Sequence, residues 1–320
     1  MTKTAVVEGS ARLAYWHLLC PTDRAPLEAR SGALACPACR RQYPVADGVA
    51  RFLDKRDDFY EGAYNNQVHF VPRGKGFLNE LPLWLVINGY LWRVRRFVRP
   101  GAKVVELGCA GGVAWFGRAY KVAGIDVSQE GLRLAAGKYD VCLQASTLAP
   151  IPDGSVDAVI SSYFWEHIPP ADKPGILDEI TRVLKPGGHI VFVYDVTTSN
   201  PLIAWLRRRR PDLYQALFID SDGHLGYQTP AENDALIEKA GFRLLVSNPM
   251  ERSLLQAPSI YLKMRSWPGI PAMIGAALSF LNSSPFLFPY TAMLRLIDET
   301  VGRLLPPRWG RIMITVATKQ

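Results

Sequence analysis

The chain has 320 residues, of which 48% are hydrophobic and 21% are charged, a composition that excludes global disorder and collagen-like structure. Its five cysteines are too few for a secreted disulfide scaffold. The formal net charge of +8 permits contact with nucleic acid or with an anionic membrane but requires neither.

The ends and the hydropathy of the chain suggest a location. Residues 1–8 lack the basic segment and the long apolar run of a secretory signal, so we expect a cytoplasmic protein with reduced thiols. No uninterrupted apolar run reaches the roughly 18 residues that an ordinary membrane-spanning helix needs, and we predict no such helix.

Residues 1–55 are predicted to form a small zinc-ribbon-like module. Two short knuckles, each with a proline after its first cysteine, have the spacing of a zinc ribbon. The segment Leu19–Gly48 resembles the zinc-ribbon activator subunits of tRNA and protein methyltransferases, and this resemblance implies one structural zinc ion. A ribbon that keeps its fold without the metal is the alternative. The four candidate ligands are Cys20, Asp23, Cys36 and Cys39.

Residues 56–100 are predicted to be a helical lid or linker. Phe59–Tyr64 precede the next unit and could close over a cationic ligand through cation–π contacts, with ordinary packing as the alternative. The aromatic residues that mark this zone are Tyr60, Tyr64, Trp84, Tyr90 and Trp92.

From Ala102 onward, short apolar β-rich runs alternate with helix-like segments, which is typical of βαβ units on a parallel sheet. Apolar residues over 176–184 recur at helical spacing, and Gly187–Gly188 should end that helix. Thr229–Glu232 has the pattern of a capping box and opens a helix that should end at Gly241. The predicted strands are 103–107, 122–126, 141–144, 157–161, 189–194, 242–246 and 311–317.

The strongest functional signal is Val104–Gly112, where a strand ends with Glu106 beside a loop of small residues that turns into a helix. Small residues let a ligand approach the backbone, and amides at a helix N-terminus then face it. Asp126 ends the next strand, where a carboxylate can accept hydrogen bonds from both hydroxyls of a ribose. The dinucleotide fingerprint and a Walker lysine are absent, which argues against a nicotinamide enzyme and a P-loop nucleotidase.

Together with Ile151–Asp157, Phe164–Ile168 and Arg182–Gly188, this block resembles the class I S-adenosylmethionine-dependent methyltransferases, and in particular their UbiE-like small-molecule branch. The resemblance covers about residues 100–250. It implies an α/β fold: a Rossmann-like mixed sheet of seven strands, the last antiparallel, with helices on both faces. Residues 101–250 and 310–320 would form this core, and 251–309 an apolar helical insertion before the last strand.

The resemblance also implies S-adenosylmethionine as the cofactor. The loop residues would line its methionine end, Asp126 would hold the ribose, and Val127 would lie beside the adenine. Ala145 stands where relatives often carry an acid that meets the adenine amino group, so Gln144 or backbone groups are expected to replace that contact. The predicted cofactor residues are Glu106, Gly108, Ala110, Gly112, Asp126, Val127, Gln144, Ala145 and Ser161.

Candidate catalytic residues follow the fourth core strand and precede the capped helix. Ligands bind beyond the carboxyl ends of strands in such sheets, and a hydroxyl or phenol acceptor would need a base. His167 and His224 are candidates for that base, and Tyr163 is a third catalytic candidate. Plain structural roles in the loops are the alternatives for both histidines.

Residues 266–294 contain no charged side chain. Each half of this stretch is too short to span a bilayer, so it could be a buried cap, a substrate tunnel, a dimer face or a shallow membrane-dipping hairpin. Arg207–Arg210 and Trp92–Arg96 are basic clusters that would attract anionic lipid or RNA. Their combination with residues 266–294 favours an apolar or lipid-linked acceptor and peripheral membrane contact.

The sequence thus predicts a methyltransferase acting on a small-molecule or lipid-linked acceptor. The alternatives are an RNA methyltransferase and a non-catalytic scaffold that grips a protein partner with the ribbon. Nucleic acid is disfavoured, because Ser161–Trp165 stands where base N-methylating enzymes carry an Asn/Asp-Pro-Pro-Tyr motif. The acceptor atom and the oligomeric state stay open.

Overall fold

The computed structural model describes residues 15–54, 58–61, 89–283 and 285–320. Most of the predicted lid or linker, including Tyr64 and Trp84, lies outside the described residues.

One sheet of eleven strands organises the described part of the chain, in the spatial order β1-β2-β3-β4-β7-β6-β5-β8-β9-β11-β10. The strands are β1 (Glu28–Arg30), β2 (Ala33–Ala35), β3 (Gln42–Ala46), β4 (Val49–Arg51), β5 (Lys103–Leu107), β6 (Lys121–Asp126), β7 (Val141–Gln144), β8 (Val156–Ser162), β9 (Leu184–Asp195), β10 (Phe242–Met250) and β11 (Ile312–Lys319). All seven strands predicted for the core are present, and β11 is antiparallel to both of its neighbours.

The sheet has four strands more than the seven predicted for the core, because the strands of the N-terminal ribbon join it. β4 pairs in parallel with β7, and Ala50 lies opposite Leu143. The ribbon strands therefore extend the core sheet at its β7 edge. A parallel pairing between segments about ninety residues apart leaves no local pattern in the sequence, since each strand reads only as a short apolar run.

Helices cover the sheet and the end of the chain. The described α-helices are α1 (Asp58–Glu61), α2 (Tyr90–Phe97), α3 (Ala114–Ala119), α4 (Gln129–Ala135), α5 (Lys173–Val183), α6 (Pro201–Arg209), α7 (Pro211–Tyr214), α8 (Pro230–Lys239), α9 (Pro258–Met264), α10 (Ile270–Leu278) and α11 (Leu287–Glu299). Short 3₁₀ turns cover Trp165–His167, Ser279–Asn282, Val301–Leu304 and Pro307–Trp309, and a π-helical turn covers Gln215–Asp220.

The start of α8 and the end of α5 can be compared with the helix boundaries predicted from the sequence. The capping box of α8 is confirmed: the Thr229 hydroxyl accepts from the Glu232 amide, and the Glu232 carboxylate accepts from the Thr229 amide at 2.7 Å. The predicted stop of α5 at Gly187–Gly188 was wrong, because α5 ends at Val183 and β9 begins at the next residue. The two glycines instead occupy an irregular stretch of β9, where the pairing with β8 shifts register.

The core has two faces, as expected for a sheet with helices on both sides. On β5, Val105 and Leu107 belong to the cluster that includes α5 and α8, whereas Val104 belongs to the cluster that includes α2, α3 and α4. Successive side chains point to opposite faces of a strand, so the uninterrupted apolar runs of the sequence are buried on both sides.

The segment 251–309 has its own small core. Ile260, Tyr261 and Met264 of α9 pack with Ile203 and Leu206 of α6. Other apolar side chains of this segment are exposed, among them Ile270 (71%), Met273 (72%) and Leu304 (86%). Among the described residues no single helix is long and apolar enough to cross a membrane. The helical segments 270–282 and 287–299, which are bent by 110° relative to each other, reach the required length and apolar composition only when they are taken together.

Candidate active site

A cavity of about 1020 Å³ opens beyond the carboxyl ends of β5, β6 and β8. One end is lined by the loop that follows β5 and by Asp126, Val127 and Ser128. The other end is lined by apolar residues of the 251–309 segment, including Ile260 and Leu294. We call these the cofactor end and the acceptor end of the cavity.

The loop at the cofactor end requires its glycines. Gly108 (φ +62°) and Gly112 (φ +63°) adopt left-handed conformations that favour glycine. A Cβ on Gly108 would lie 2.7 Å from the Phe164 ring, and a Cβ on Gly112 would lie 2.9 Å from the Tyr139 ring. Ala110 is also left-handed, with φ +42°, and its amide donates to the Asp126 carboxylate at 2.8 Å. That bond holds the loop against the end of β6.

Asp126 lies where the sequence predicts a ribose carboxylate. Its second oxygen accepts from the Ser128 amide at 2.8 Å, and burial raises the pKa of the carboxyl group. Each carboxylate oxygen keeps a further lone pair, so the group can still accept hydrogen bonds from a ligand in the cavity.

Glu106 lines the cavity beneath the loop and is only 4% exposed. The Tyr139 hydroxyl donates to one of its oxygens, and the Tyr90 hydroxyl to the other at 3.3 Å. Burial raises the pKa of Glu106 to about 7 despite these hydrogen bonds. Tyr139 also accepts from the Val113 amide at 2.8 Å, so one tyrosine connects the acid to the loop. The sequence patterns did not identify either tyrosine.

The short helix α1 closes part of the cofactor end. Its Glu61 carboxylate accepts hydrogen bonds from the Gln129 and Glu130 amides at the N-terminus of α4, a position where an acid is favoured. Tyr60 lines the cavity and contacts His167 edge-on, with ring centroids 6.0 Å apart. The described part of the predicted aromatic lid therefore lies at the cavity.

Two predicted cofactor residues do not line the cavity. Gln144 is buried and donates to the Val127 carbonyl at 3.1 Å, so it supports the wall indirectly, and Ala145 lines the cavity instead. Ser161 is also buried away from the cavity, which its neighbour Ser162 lines. In both places the neighbouring residue lines the cavity instead, because adjacent strand residues face opposite sides.

The acceptor end brings together all three catalytic candidates. His167, His224 and Tyr163 line the cavity together with Glu166 and Tyr227. The His167 and His224 ring centroids are 5.1 Å apart. Burial lowers the pKa of His167 to about 4, so this imidazole is neutral at neutral pH. The 57 residues that separate the two histidines in sequence give no indication of this proximity.

Backbone contacts hold the His224 loop in place. The Leu225 and Gly226 amides donate to the Glu166 carbonyl at 3.0 and 2.7 Å. Lys173 is fully buried and donates to the Gly226 carbonyl at 2.7 Å. A Cβ on Gly226 would overlap the Ile168 carbonyl oxygen, so only glycine permits this close approach.

A buried charge cluster completes the acceptor end. The Arg311 guanidinium pairs with the Glu251 carboxylate at 2.5 Å and with the Asp195 carboxylate at 3.2 Å. Asp195 also lies 3.9 Å from Nε2 of His224. Sequence reasoning missed these three residues, although Asp195 directly follows one predicted strand and Arg311 begins another; Glu251 directly follows β10, which is longer than predicted.

The four predicted zinc ligands also come together. One donor atom from each of them lies within 4.8 Å of the others. Cys20 and Cys39 sulfurs are 3.6 Å apart, and the Asp23 carboxylate lies 3.3 Å from the Cys36 sulfur. Three sulfurs and one carboxylate oxygen at these separations fit a closed, four-coordinate structural site.

Comparisons with known proteins agree with this geometry. Residues 105–192 match a family model described as "Methyltransferase domain", and residues 18–48 match one described as "Trm112p-like protein". The first match includes the glycine-rich loop, Asp126 and Glu166–His167. The predicted resemblance to class I S-adenosylmethionine-dependent methyltransferases, with a ribbon-like N-terminal segment, is confirmed.

Individual relatives are similar over part of their length. Ubiquinone biosynthesis O-methyltransferase of Idiomarina loihiensis is 32% identical over 118 residues, which cover 33% of this chain and 46% of that protein. Demethylmenaquinone methyltransferase of Symbiobacterium thermophilum is 29% identical over 182 residues, 45% of this chain and 69% of that protein. Phosphoethanolamine N-methyltransferase 2 of Haemonchus contortus, solved with S-adenosylmethionine, aligns with a TM-score of 0.49 at 16% identity, covering 87% and 62% of the two chains. The chain spans about half the length of the first curated relatives it matches.

Proposed function

We propose that this chain, whose residues 105–192 match a methyltransferase-domain family, transfers a methyl group from S-adenosylmethionine to a small-molecule acceptor. The observation that carries the proposal is the single cavity that joins the glycine-rich loop and Asp126 to the cluster around His167. A donor and an acceptor bound at its two ends would meet inside the same enclosure. The names of the relatives, which are O-methyltransferases and a menaquinone methyltransferase, support a small acceptor.

The residues at the cofactor end fit S-adenosylmethionine. Asp126 would accept from the ribose hydroxyls, the left-handed loop at Gly108 would admit the methionine portion, and Ala145 leaves room beside the adenine. The cofactor supplies an electrophilic methyl group on a good leaving group. The chain's own contribution is to hold the acceptor in line with that methyl group, which is the larger part of such catalysis.

Isothermal titration of the full chain with S-adenosylmethionine tests the cofactor assignment. We expect Asp126→Ala to weaken binding by about tenfold or more, since each hydrogen bond to a charged group contributes roughly 1.5–3 kcal/mol. Asp172→Asn is the matched control, because Asp172 is exposed and makes no side-chain cap. Equal affinity of the two variants would show that the ribose does not lie at Asp126. Failure of the wild-type chain to bind the cofactor would favour the non-catalytic scaffold.

The acceptor is proposed to be apolar or lipid-linked. Leu287 and Leu294 of α11 line the far end of the cavity, and exposed apolar side chains such as Ile270 and Met273 lie on the same segment. An apolar tail could thus pass from a membrane surface to the reacting group. This proposal includes peripheral attachment to the cytoplasmic face of a membrane, aided by Arg207–Arg210.

Flotation with vesicles containing anionic phospholipid tests membrane contact. We expect the double variant Ile270→Glu with Met273→Glu to lose vesicle binding while its stability stays within about 0.5 kcal/mol, because both side chains are exposed. Leu134→Glu is the control, since Leu134 is half-exposed on α4 and outside the 251–309 segment. Absence of vesicle binding by the wild-type chain would contradict membrane attachment.

The ribbon is proposed to bind one structural zinc ion through Cys20, Asp23, Cys36 and Cys39. Zinc favours sulfur and imidazole donors, and the aspartate is the weakest of the four. Elemental analysis of the purified chain should therefore find zinc that is lost in the Cys36→Ser variant. Zinc content unchanged by that substitution would contradict the assignment.

A further inference from the structure

A second group of potential metal ligands lies at the acceptor end. Glu166, His167 and His224 each offer a donor atom, and these atoms lie within 4.8 Å of one another. The three residues are buried, with exposures of 1%, 7% and 6%. Nothing in the ribbon takes part in this cluster, which lines the cavity where the acceptor would bind.

Backbone carbonyls determine the tautomers of both histidines. Nδ1 of His167 lies 3.0 Å from the Gly223 carbonyl oxygen, and Nδ1 of His224 lies 2.8 Å from the Phe218 carbonyl oxygen. A carbonyl oxygen only accepts, so each Nδ1 carries the hydrogen and each Nε2 carries the lone pair. Metal-binding histidines commonly have this arrangement, in which a hydrogen bond from the other nitrogen orients the ring.

Glu166 is the third member and has an unsatisfied oxygen. Its Oε1 accepts from the Asp195 amide at 3.3 Å, while its buried Oε2 has no hydrogen-bond partner among the described residues. A buried acceptor without a partner is costly, by about 1–3 kcal/mol and more when it is charged. A bound cation would remove this penalty.

The local charge balance also favours a cation. The carboxylates of Glu166, Asp195 and Glu251 line the same part of the cavity, and Arg311 pairs with the last two. The Lys173 ammonium is nearby, but the acceptors recorded for it are the Gly226 carbonyl and two side-chain amides. Within the described part of the chain, Glu166 therefore has no directly paired cation, and burial together with the nearby Asp195 raises the pKa of Glu166 well above its usual range.

We propose that Glu166, His167 and His224 bind a divalent transition-metal cation, such as Mn²⁺, Fe²⁺ or Zn²⁺, at the acceptor end of the cavity. Two imidazoles and one carboxylate form a three-ligand set that leaves coordination positions open. The binding site stands on its own geometry, whereas its role in the reaction rests on the proposed methyl transfer.

In that role the cation would coordinate a hydroxyl oxygen of the acceptor. Metal coordination lowers the pKa of a bound hydroxyl group toward neutrality, so the oxygen loses its proton to solvent. The oxygen then forms a bond to the methyl carbon as the carbon–sulfur bond breaks. The products are the O-methylated acceptor, S-adenosylhomocysteine and one proton. The acceptor class is thus an oxygen nucleophile able to reach a metal ion, such as a phenol, an enol or a vicinal diol.

Mn²⁺ is the probe that distinguishes metal binding at this site from metal binding at the ribbon. Mn²⁺ prefers oxygen and nitrogen donors to thiolates, so it reports the acceptor end even when the ribbon is loaded with zinc. We expect the full chain to bind one Mn²⁺, measured by loss of the free-ion signal in electron paramagnetic resonance. Glu166→Gln and His224→Gln should each weaken binding by about tenfold or more. His189→Gln is the matched control, because His189 lies in the middle of β9, six residues before Asp195, and does not line the cavity.

Cofactor titration of the same samples separates the two proposals. Wild-type chain that binds S-adenosylmethionine but neither Mn²⁺ nor an added equivalent of Zn²⁺ would overturn the metal site and leave methyl transfer intact, with a histidine as the base. Mn²⁺ binding that survives both substitutions would also overturn it. Metal binding that depends on Glu166 and His224, in a chain without cofactor affinity, would support the site while refuting the proposed function.

Discussion

The two ends of the cavity are built in different ways. The cofactor end comes mainly from β5, β6, β7 and the loops between them, within residues 103–147, with α1 closing part of it. The acceptor end combines Glu166, His224 and Arg311, which lie on three segments far apart in the chain. The cofactor end depends mainly on backbone conformation over a short stretch. The acceptor end depends on side chains that meet only in the folded protein, so substitutions should act differently at the two ends.

Removing the buried guanidinium should have the largest effect. Arg311→Met leaves the Asp195 and Glu251 carboxylates buried without their cation, which typically destabilises a protein by about 3–5 kcal/mol. The free energy of unfolding from denaturant titration measures this. Arg303→Met is the control, because its pair with Glu299 is exposed on the arginine side and should contribute about 0–1 kcal/mol. If both variants lost the same free energy of unfolding, the buried ion pairs of Arg311 would stabilise the protein no more than an exposed ion pair does.

Glu106 should make the stability of the cofactor end depend on pH. Its pKa is about 7 in the folded chain and about 4.5 in the unfolded chain, so folding favours its protonated form. Its contribution is fully present below pH 4.5 and is lost as the pH rises through 7, by about 3 kcal/mol. Glu106→Gln cannot titrate. The unfolding free energy of the wild type minus that of the variant should therefore fall across this pH range, and a constant difference would contradict the burial of this charge.

The glycine-rich loop should tolerate no side chain at Gly108. Gly108→Ala forces a left-handed alanine, which costs about 1–2 kcal/mol, and adds a Cβ 2.7 Å from Phe164. We expect S-adenosylmethionine affinity to fall by about tenfold as the loop moves, a change that corresponds to roughly 1.4 kcal/mol. Gly137→Ala is the matched control, because no atom lies within 4 Å of the added Cβ. Similar affinities in both variants would show that the loop does not contact the cofactor.

The smallest effect is expected at α8, the helix that follows the His224 loop. Thr229→Ala removes the cap of α8 and should destabilise the protein by about 1 kcal/mol, with cofactor affinity unchanged. Thr300→Ala is the control, since Thr300 makes no side-chain cap. A loss of cofactor affinity in Thr229→Ala would show that the two ends of the cavity are more tightly coupled than their separate construction indicates.

Much of the cofactor end could be predicted from sequence because its signals are local. The seven core strands, the glycine-rich loop and Asp126 follow from apolar runs and from residue types within about twenty positions of one another. Ser161 is buried while its neighbour Ser162 lines the cavity, a difference that an uninterrupted apolar strand does not reveal, since it does not show which face each residue occupies. Tyr139 was missed because nothing near it in sequence indicates that its hydroxyl reaches Glu106.

The amino-acid sequence by itself determined the class of fold, the order of the seven core strands, the α8 cap and the spacing of the cysteines and the aspartate in the ribbon, because hydrophobic periodicity, capping and residue spacing act over a few residues. Only the tertiary structure decided that β4 continues the core sheet, that Glu166, His167 and His224 converge, and that Arg311 neutralises two distant carboxylates. These contacts join segments separated by tens of residues. They form when the chain buries its apolar faces, and spacing along the sequence carries no record of them.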